Sequence, residues 1–201
     1  MADAYTVFWA SHLTAAARTP IEAGVPLTVL FGGVHQSMPS FTRAKVTAGD
    51  LVYPIAVHAG TVFVLGRMRV ADLSTSPHEH MDANPHWRFL AGTCMTEAVT
   101  GTGGTVLRLD AAMPVDTLRR LTYRSQRGTR TVKHLGDDGR LLRPLSLRGI
   151  YRLDAPCVAD LDAVLAQPSS SLTCAPRSRR QERDAVTKAA GDAAFWRAFS
   201  N

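Results

Sequence analysis

Residues 49–72 read GDLVYPIAVHAGTVFVLGRMRVAD, and the fold is decided there. Two apolar runs, 51–57 and 61–70, flank His58-Ala59-Gly60. Val, Ile, Leu, Tyr and Phe dominate both runs and a Gly-containing turn separates them, which is the pattern of a β-hairpin. Gly49-Asp50 is the turn that enters it. Pro54 carries no N–H for a ladder, so it implies an edge position or a bulge in the first strand. In the second run Val62, Val64 and Val70 share one parity, and Phe63, Leu65, Arg67 and Arg69 share the other. Both faces begin apolar, so this strand reads as central, with Arg67 and Arg69 emerging where burial ends.

Outward from the hairpin, residues 5–10 (YTVFWA) read as a first strand and 14–18 as one helical turn before Pro20. The apolar triplet Val29-Leu30-Phe31 breaks at Gly32-Gly33, and residues 33–41 (GVHQSMPSF) form a polar loop placed for contact. Beyond the hairpin, residues 74–87 carry two prolines and read as a loop. Strands are expected at 89–99 and 105–110, joined by TGTGG at 100–104, and a short helix near Val115 behind Pro114. A basic excursion at 125–142, a last strand at 145–153 (LSLRGIYRL) and a short helix at 160–165 complete the order. Strands and short helices in mixed order, without βαβ alternation, argue for an α+β fold around a small curved sheet or barrel.

The expected organisation is one domain over 1–166, a linker over 167–178 (PSSSLTCAPRS from Pro168) and a terminal helix over 179–201. In that helix Val186, Ala189, Ala193 and Trp196 form a narrow stripe, and Phe195 and Phe199 lie i, i+4 on an adjoining face. It is suited either to docking on the domain or to binding a partner.

The chain has 201 residues, 45% apolar and 20% charged, the composition of an ordinary globular protein with one sizeable core. No apolar run approaches the length of a membrane span, and the N-terminus lacks the pattern of a secretory signal. Cys94, Cys157 and Cys174 are odd in number and form no CxxC pair, so reduced thiols in the cytoplasm are the expectation. Charge is concentrated in the second half. Residues 1–110 hold seven Lys/Arg against eight Asp/Glu, and residues 111–201 hold sixteen against nine. Within 119–152, Arg119, Arg120, Arg124, Arg127, Arg130, Lys133, Arg140, Arg143, Arg148 and Arg152 face only Asp137 and Asp138 in sequence. An Arg-rich segment of this kind is either the electrostatic footprint of a nucleic-acid binder or a solvated surface.

The order of short motifs carries a resemblance. An early Trp9 is followed by the loop 33–37, by Lys45-Val46 with Gly49-Asp50-Leu51, and by Gly66-Arg67-Met68-Arg69-Val70. The run LSLRGIYRL and the helix at 160–165 come later. Over residues 5–166 this resembles the PUA-like superfamily and, within it, the EVE-type domains, which are related to YTH and ASCH domains. The resemblance implies a small β-barrel with helices over its openings, binding of DNA or RNA, and a pocket that takes a modified base flipped out of its strand. It places that pocket at Trp9, Ser11, His12, the loop Gly33, Val34, His35, Gln36 and Ser37, and Tyr53. The chain departs from the EVE pattern at residues 8–12, which lack the usual Lys-Ser-x-Pro run, and at 34–37, where an Arg/Asn-rich loop is usual. The resemblance therefore implies no particular base. It favours modified DNA, carrying a modified cytosine or adenine, over RNA as partner, in a specificity module of a restriction system, with an effector nuclease or a second copy meeting the terminal helix.

The chemistry of reading a flipped base asks for stacking faces and a few fixed donors and acceptors. Trp9, Tyr53 and Trp87 are candidate faces, and each is equally a residue for a core. His12, His35, Gln36, Ser37 and the Gly32-Gly33 backbone are candidate edge readers. Arg119, Arg120, Arg124, Arg127, Arg130, Lys133, Arg140 and Arg143 are candidates for phosphates. No cofactor is expected. His78, Glu79, His80, Asp82 and His86 lie close in sequence but lack a zinc-binding spacing, so no metal is expected either. GxSxG, GxxxxGK[ST] and GxGxxG are absent, and the carboxylates Asp50, Glu97 and Asp110 define no acid–base pair. A non-catalytic binding module is the leading expectation. A small ASCH-like hydrolase or ribonuclease, and a protein-interaction adaptor using the terminal helix, are the alternatives.

Overall fold

The computed structural model describes residues 2–33, 38–125 and 128–168. The linker beyond 168, the helix expected over 179–201 and residues 34–37 lie outside them. Strands are β1 (Ala4–Trp9), β2 (Val29–Gly32), β3 (Leu51–His58), β4 (Thr61–Val64), β5 (Met68–Ser74), β6 (Glu97–Thr102), β7 (Thr122–Ser125), β8 (Gly128–Thr131) and β9 (Ile150–Arg152). Helices are α1 (Ser11–Ala16), α2 (Arg18–Glu22), α3 (Phe41–Ala44), α4 (Pro77–Ala83), α5 (Val115–Arg120) and α6 (Ala155–Ala166). The class is α+β, a sheet core with short helices around it. No described helix is long and apolar enough to cross a membrane.

The main sheet runs β2-β6-β5-β3-β1-β9, with β4 also on β3, and β7-β8 form a separate two-stranded ribbon. At its centre β1 and β3 are parallel, in register from Ala4↔Leu51 to Trp9↔Ala56. Parallel pairs are covered on both faces, so their strands read as apolar runs with little alternation. Tyr5, Val7 and Trp9 point into one core with Phe31, Phe41, Val52 and Ala56. Ala4, Tyr53 and Ile55 point into a second core, shared with Leu121, Leu147 and Leu161.

The hairpin forms, in a narrower form than the sequence implies. β3 and β4 pair antiparallel from Ile55↔Val64 to His58↔Thr61. Ala59 (φ 49°) and Gly60 (φ 81°) are the two residues between them. Positive φ at both positions makes a type I′ turn, whose twist suits a hairpin. The second run does not stay one strand. It breaks at 65–67, and β5 then turns to pair with the start of β3 at Leu51↔Arg69 and Val52↔Met68. At the break Leu65 O accepts from Arg108 N at 2.7 Å and Arg67 O from Thr105 N at 2.9 Å. Gly66 permits that approach, since a Cβ there would lie 2.5 Å from Leu107 Cδ2 and 2.7 Å from Thr105 Oγ1.

Pro54 follows from the same break. It is interior, paired with Val7 of β1 on one side. Its carbonyl accepts from Leu65 N at 2.9 Å on the other. In extended chain a residue's N and O point the same way, so the missing N–H falls in the gap between the β5-paired and β4-paired parts of β3. Neither an edge nor a bulge is needed.

Three other stretches depart from the sequence reading. Residues 74–87 are not a loop: Pro77 starts α4, and a 3-10 helix follows at Pro85–Leu90. The strand expected at 89–99 begins only at Glu97, and 105–110 is irregular chain with one bridge, Pro26↔Val106. The last strand is cut to β9 by a 3-10 turn at Pro144–Leu147. The helix expected at 160–165 is α6, twelve residues long, burying Cys157, Leu161 and Val164 at i, i+4 and i+7. Arg108 closes it: its guanidinium donates to Leu165 O at 3.1 Å and to Gln167 O, while Asp110 holds it bidentately at 2.9 and 3.1 Å.

Candidate functional site

A cavity of about 930 Å³ opens where β1 runs out into α1. Val7, Phe8 and Trp9 of β1 line it, and the chain turns at Ala10, whose carbonyl accepts from Leu13 N (3.0 Å) and Thr14 N (3.2 Å). That turn brings His12 and Leu13 to the wall. Leu30 and Phe31 of β2, Phe41 of α3 and Phe89 with Leu90 add the apolar surface. Met38, Pro39, residues 91–94, Leu145, Arg148 and Gly149 complete the lining.

Several contacts hold this wall in place. The Trp9 and Phe89 rings meet edge to face, 6.3 Å apart at 88°, and Phe89 also meets Trp87 at 5.9 Å. Phe41 is seated by a buried carboxylate: Glu97 accepts from Phe41 N (2.5 Å), from Thr42 N (3.1 Å) and from the Thr42 hydroxyl. These are N–H groups that a helix start leaves without partners. Gly33 donates to Pro39 O at 2.9 Å and packs on the Cys94 carbonyl, where a Cβ would come within 2.4 Å. Among the described residues, His12, Thr93, Cys94 and Arg148 are the polar side chains of the lining. The rest of it is apolar or backbone: Trp9, Phe31 and Phe41 are buried behind the surface, and Phe8 and Phe89 are partly exposed.

The sequence-predicted residues divide. Trp9 and His12 line the cavity together. Ser11 is exposed on the first turn of α1 and is not part of the lining, and Gly33 supports the wall from behind. Val34, His35, Gln36 and Ser37 lie outside the described residues. Tyr53 is not at the cavity mouth. It is fully buried in the second core, and its hydroxyl donates to Asp162 Oδ1 at 2.8 Å, where Arg67 also binds at 2.8 Å. Burial first, and the Asp162 bond second, push its phenol well above the usual tyrosine range. Trp87 is a core residue too, with Nε1 donating to Pro26 O at 3.0 Å. The lining residues Phe89, 91–94, Leu145 and Arg148 escape sequence reading, because they sit in stretches that read as ordinary strand or loop, whereas Phe41 closes the loop expected to make contact.

The basic segment is less bare than its sequence. Its acidic partners come from elsewhere in the chain: Arg119 with Asp116 (4.0 Å), Arg120 with Asp160 (3.5 Å), Arg124 with Asp154 (2.7 Å) and Arg152 with Asp3 (2.5 Å). Arg140 meets Asp138 at 3.7 Å. Arg124 first and foremost holds the Asp154 carboxyl below the ordinary carboxylate range. Arg127 is outside the described residues. Arg130, Lys133 and Arg143 are exposed and make no ion pair among the described residues. The acidic and histidine residues of α4 are mostly solvent-facing, and no three His, Cys, Asp or Glu side chains cluster at metal-binding distance among the described residues.

No protein-family model matches the chain, and no curated protein is similar to it in sequence. A solved structure similar to it is the crystal structure of ASCH from Zymomonas mobilis, at 11% identity and a TM-score of 0.45, covering 80% of this chain and 94% of that one.

Proposed function

We propose that this chain is a nucleic-acid-binding module that takes one base, out of its stack, into the cavity beside Trp9. The supporting observation is the cavity itself. At about 930 Å³ it lies within the range of small-molecule sites, and its aromatic floor with His12 and Arg148 at the margin suits a flat heterocycle joined to a sugar and a phosphate. Among the described residues the lining brings one imidazole, one thiol and one guanidinium, and no carboxylate, to the same space. The choice of a modified base, of DNA ahead of RNA, and of a role as specificity module for a separate nuclease comes from the family resemblance and not from the cavity.

The test is a binding panel of plain and modified DNA and RNA, single- and double-stranded. The expected outcome is a preference for one modified oligonucleotide that His12→Ala and Trp9→Phe weaken. Trp9→Phe serves better than alanine, because Trp9 is only 3% exposed and its truncation would cost about 3–5 kcal/mol of core packing. Equal binding to every oligonucleotide, untouched by either substitution, overturns the cavity reading and leaves a basic surface.

A further inference from the structure

We infer that Leu145 is a wedge, filling the gap in a duplex from which a base has left the stack; this rests on the base-in-cavity reading above. Leu145 lines the cavity and is 68% exposed, so its apolar side chain is open to a ligand beside the cavity. It stands on a rigid base. Pro144 opens the 3-10 turn Pro144–Leu147, Ser146 N donates to Arg143 O (2.9 Å) and Arg148 N to Leu145 O (3.1 Å). Leu147, two residues on, is buried in the second core and anchors the turn. The chain before it is fastened to the basic excursion: Leu142 N donates to His134 O (2.8 Å) and the Ser146 hydroxyl to Lys133 O (3.4 Å).

These bonds bring the backbone of Arg143 and Lys133 to Ser146, the residue after the leucine, with Arg130 three residues back along the same stretch. All three are exposed and lack ion pairs among the described residues. An exposed apolar side chain that lines the cavity, on a turn whose neighbours in the chain are exposed cations, has the composition of a nucleic-acid wedge. The cations meet phosphates, and the leucine replaces stacking where a step has been opened.

A duplex with one abasic site offers that gap already formed, so it tests the wedge without requiring the cavity to recognise any base. The full chain is titrated into a fluorescent duplex carrying a central abasic site, the intact duplex of the same sequence, and the corresponding single strand. The wild type is expected to bind the abasic duplex about tenfold tighter than the intact one, the size expected for burying one leucine. Leu145→Ala loses that preference and Leu145→Met keeps it. Leu142→Ala also keeps it, since Leu142 is equally exposed but does not line the cavity. Single-strand affinity is the same for all four proteins. A wild type with no preference, or a Leu145→Ala protein that retains it, overturns the wedge. Failure of the cavity reading has a different signature: the abasic preference survives while His12→Ala changes nothing on modified oligonucleotides.

Discussion

At the scale of single residues, the two buried carboxylates are scaffold. Asp50 accepts from Asp3 N (2.8 Å), Thr47 N (2.8 Å) and the Thr47 hydroxyl (3.1 Å), so it closes the turn into β3 and ties it to the start of β1. Glu97 does the same for the start of α3 and thereby fixes Phe41 in the cavity wall. Glu97→Ala should lower unfolding free energy by about 2–3 kcal/mol, because it leaves the buried Phe41 N–H without an acceptor. Denaturant melts measure this. Glu97→Gln, which keeps one acceptor oxygen, should cost distinctly less. Tyr53→Phe removes a hydrogen bond to a half-exposed carboxylate and should cost about 1 kcal/mol. It should leave nucleic-acid affinity unchanged, and a loss of affinity in a folded Tyr53→Phe protein would return Tyr53 to the binding site.

At the scale of elements, the hairpin carries a correctable strain. Ala59 occupies the left-handed region that a side chain with a Cβ disfavours. Asn-Gly is the preferred pair for this turn, so Ala59→Asn should raise stability by roughly 0.5–1 kcal/mol in thermal or denaturant melts. The link between the β7–β8 ribbon and α6 is pH-sensitive. Asp154 precedes α6 and accepts from Arg124 on β7 at 2.7 Å, with the Thr122 and Thr129 hydroxyls at 3.5 and 3.3 Å. Its folded pKa lies below the ordinary 3.8, so the contact contributes fully above that value and is lost as pH falls through the lower, folded one. The melting temperatures of wild type and Asp154→Asn should therefore differ by a constant amount from neutral pH down to about pH 4 and converge below it. A gap that persists in acid would rule out the ion pair as its source.

At the scale of the whole molecule, the net charge of +6 overstates the surface open to phosphates. Arg119, Arg120, Arg124 and Arg140 already face aspartates, while Arg130, Lys133 and Arg143 do not. The dependence of binding on salt should separate the two sets. Each of Arg130→Ala, Lys133→Ala and Arg143→Ala should flatten the slope of log K against log salt by up to about 0.9, the value for one lost phosphate contact on duplex DNA. Arg120→Ala and Arg124→Ala should flatten it less, because each substitution also releases an aspartate. Equal effects from both sets would mean that the ion pairs open on binding.

The amino-acid sequence alone determined what is written locally. The apolar run at 51–57, the turn at 58–60, β1 with Trp9, and the short helix behind Pro114 follow from side-chain pattern, glycine and proline within a few residues of one another. So does the α+β class, which depends only on the order of such pieces. The tertiary structure decided everything set by residues distant in the chain. The break at 65–67 depends on the approach of residues 105–108 to Gly66. Pro54 is interior because β4 and β5 share its strand. Arg152 is paired because Asp3, 149 positions away, lies beside it. The cavity is assembled from β1, β2, α3, the chain around Phe89 and the turn at Leu145, none of which carries a sign of the others. A side chain's type fixes what it can stack on or bond to, but which groups it meets depends on the burial and pairing of the whole chain. That is why the sequence marked Trp9 and His12 and passed over Phe89 and Leu145, which line the same cavity.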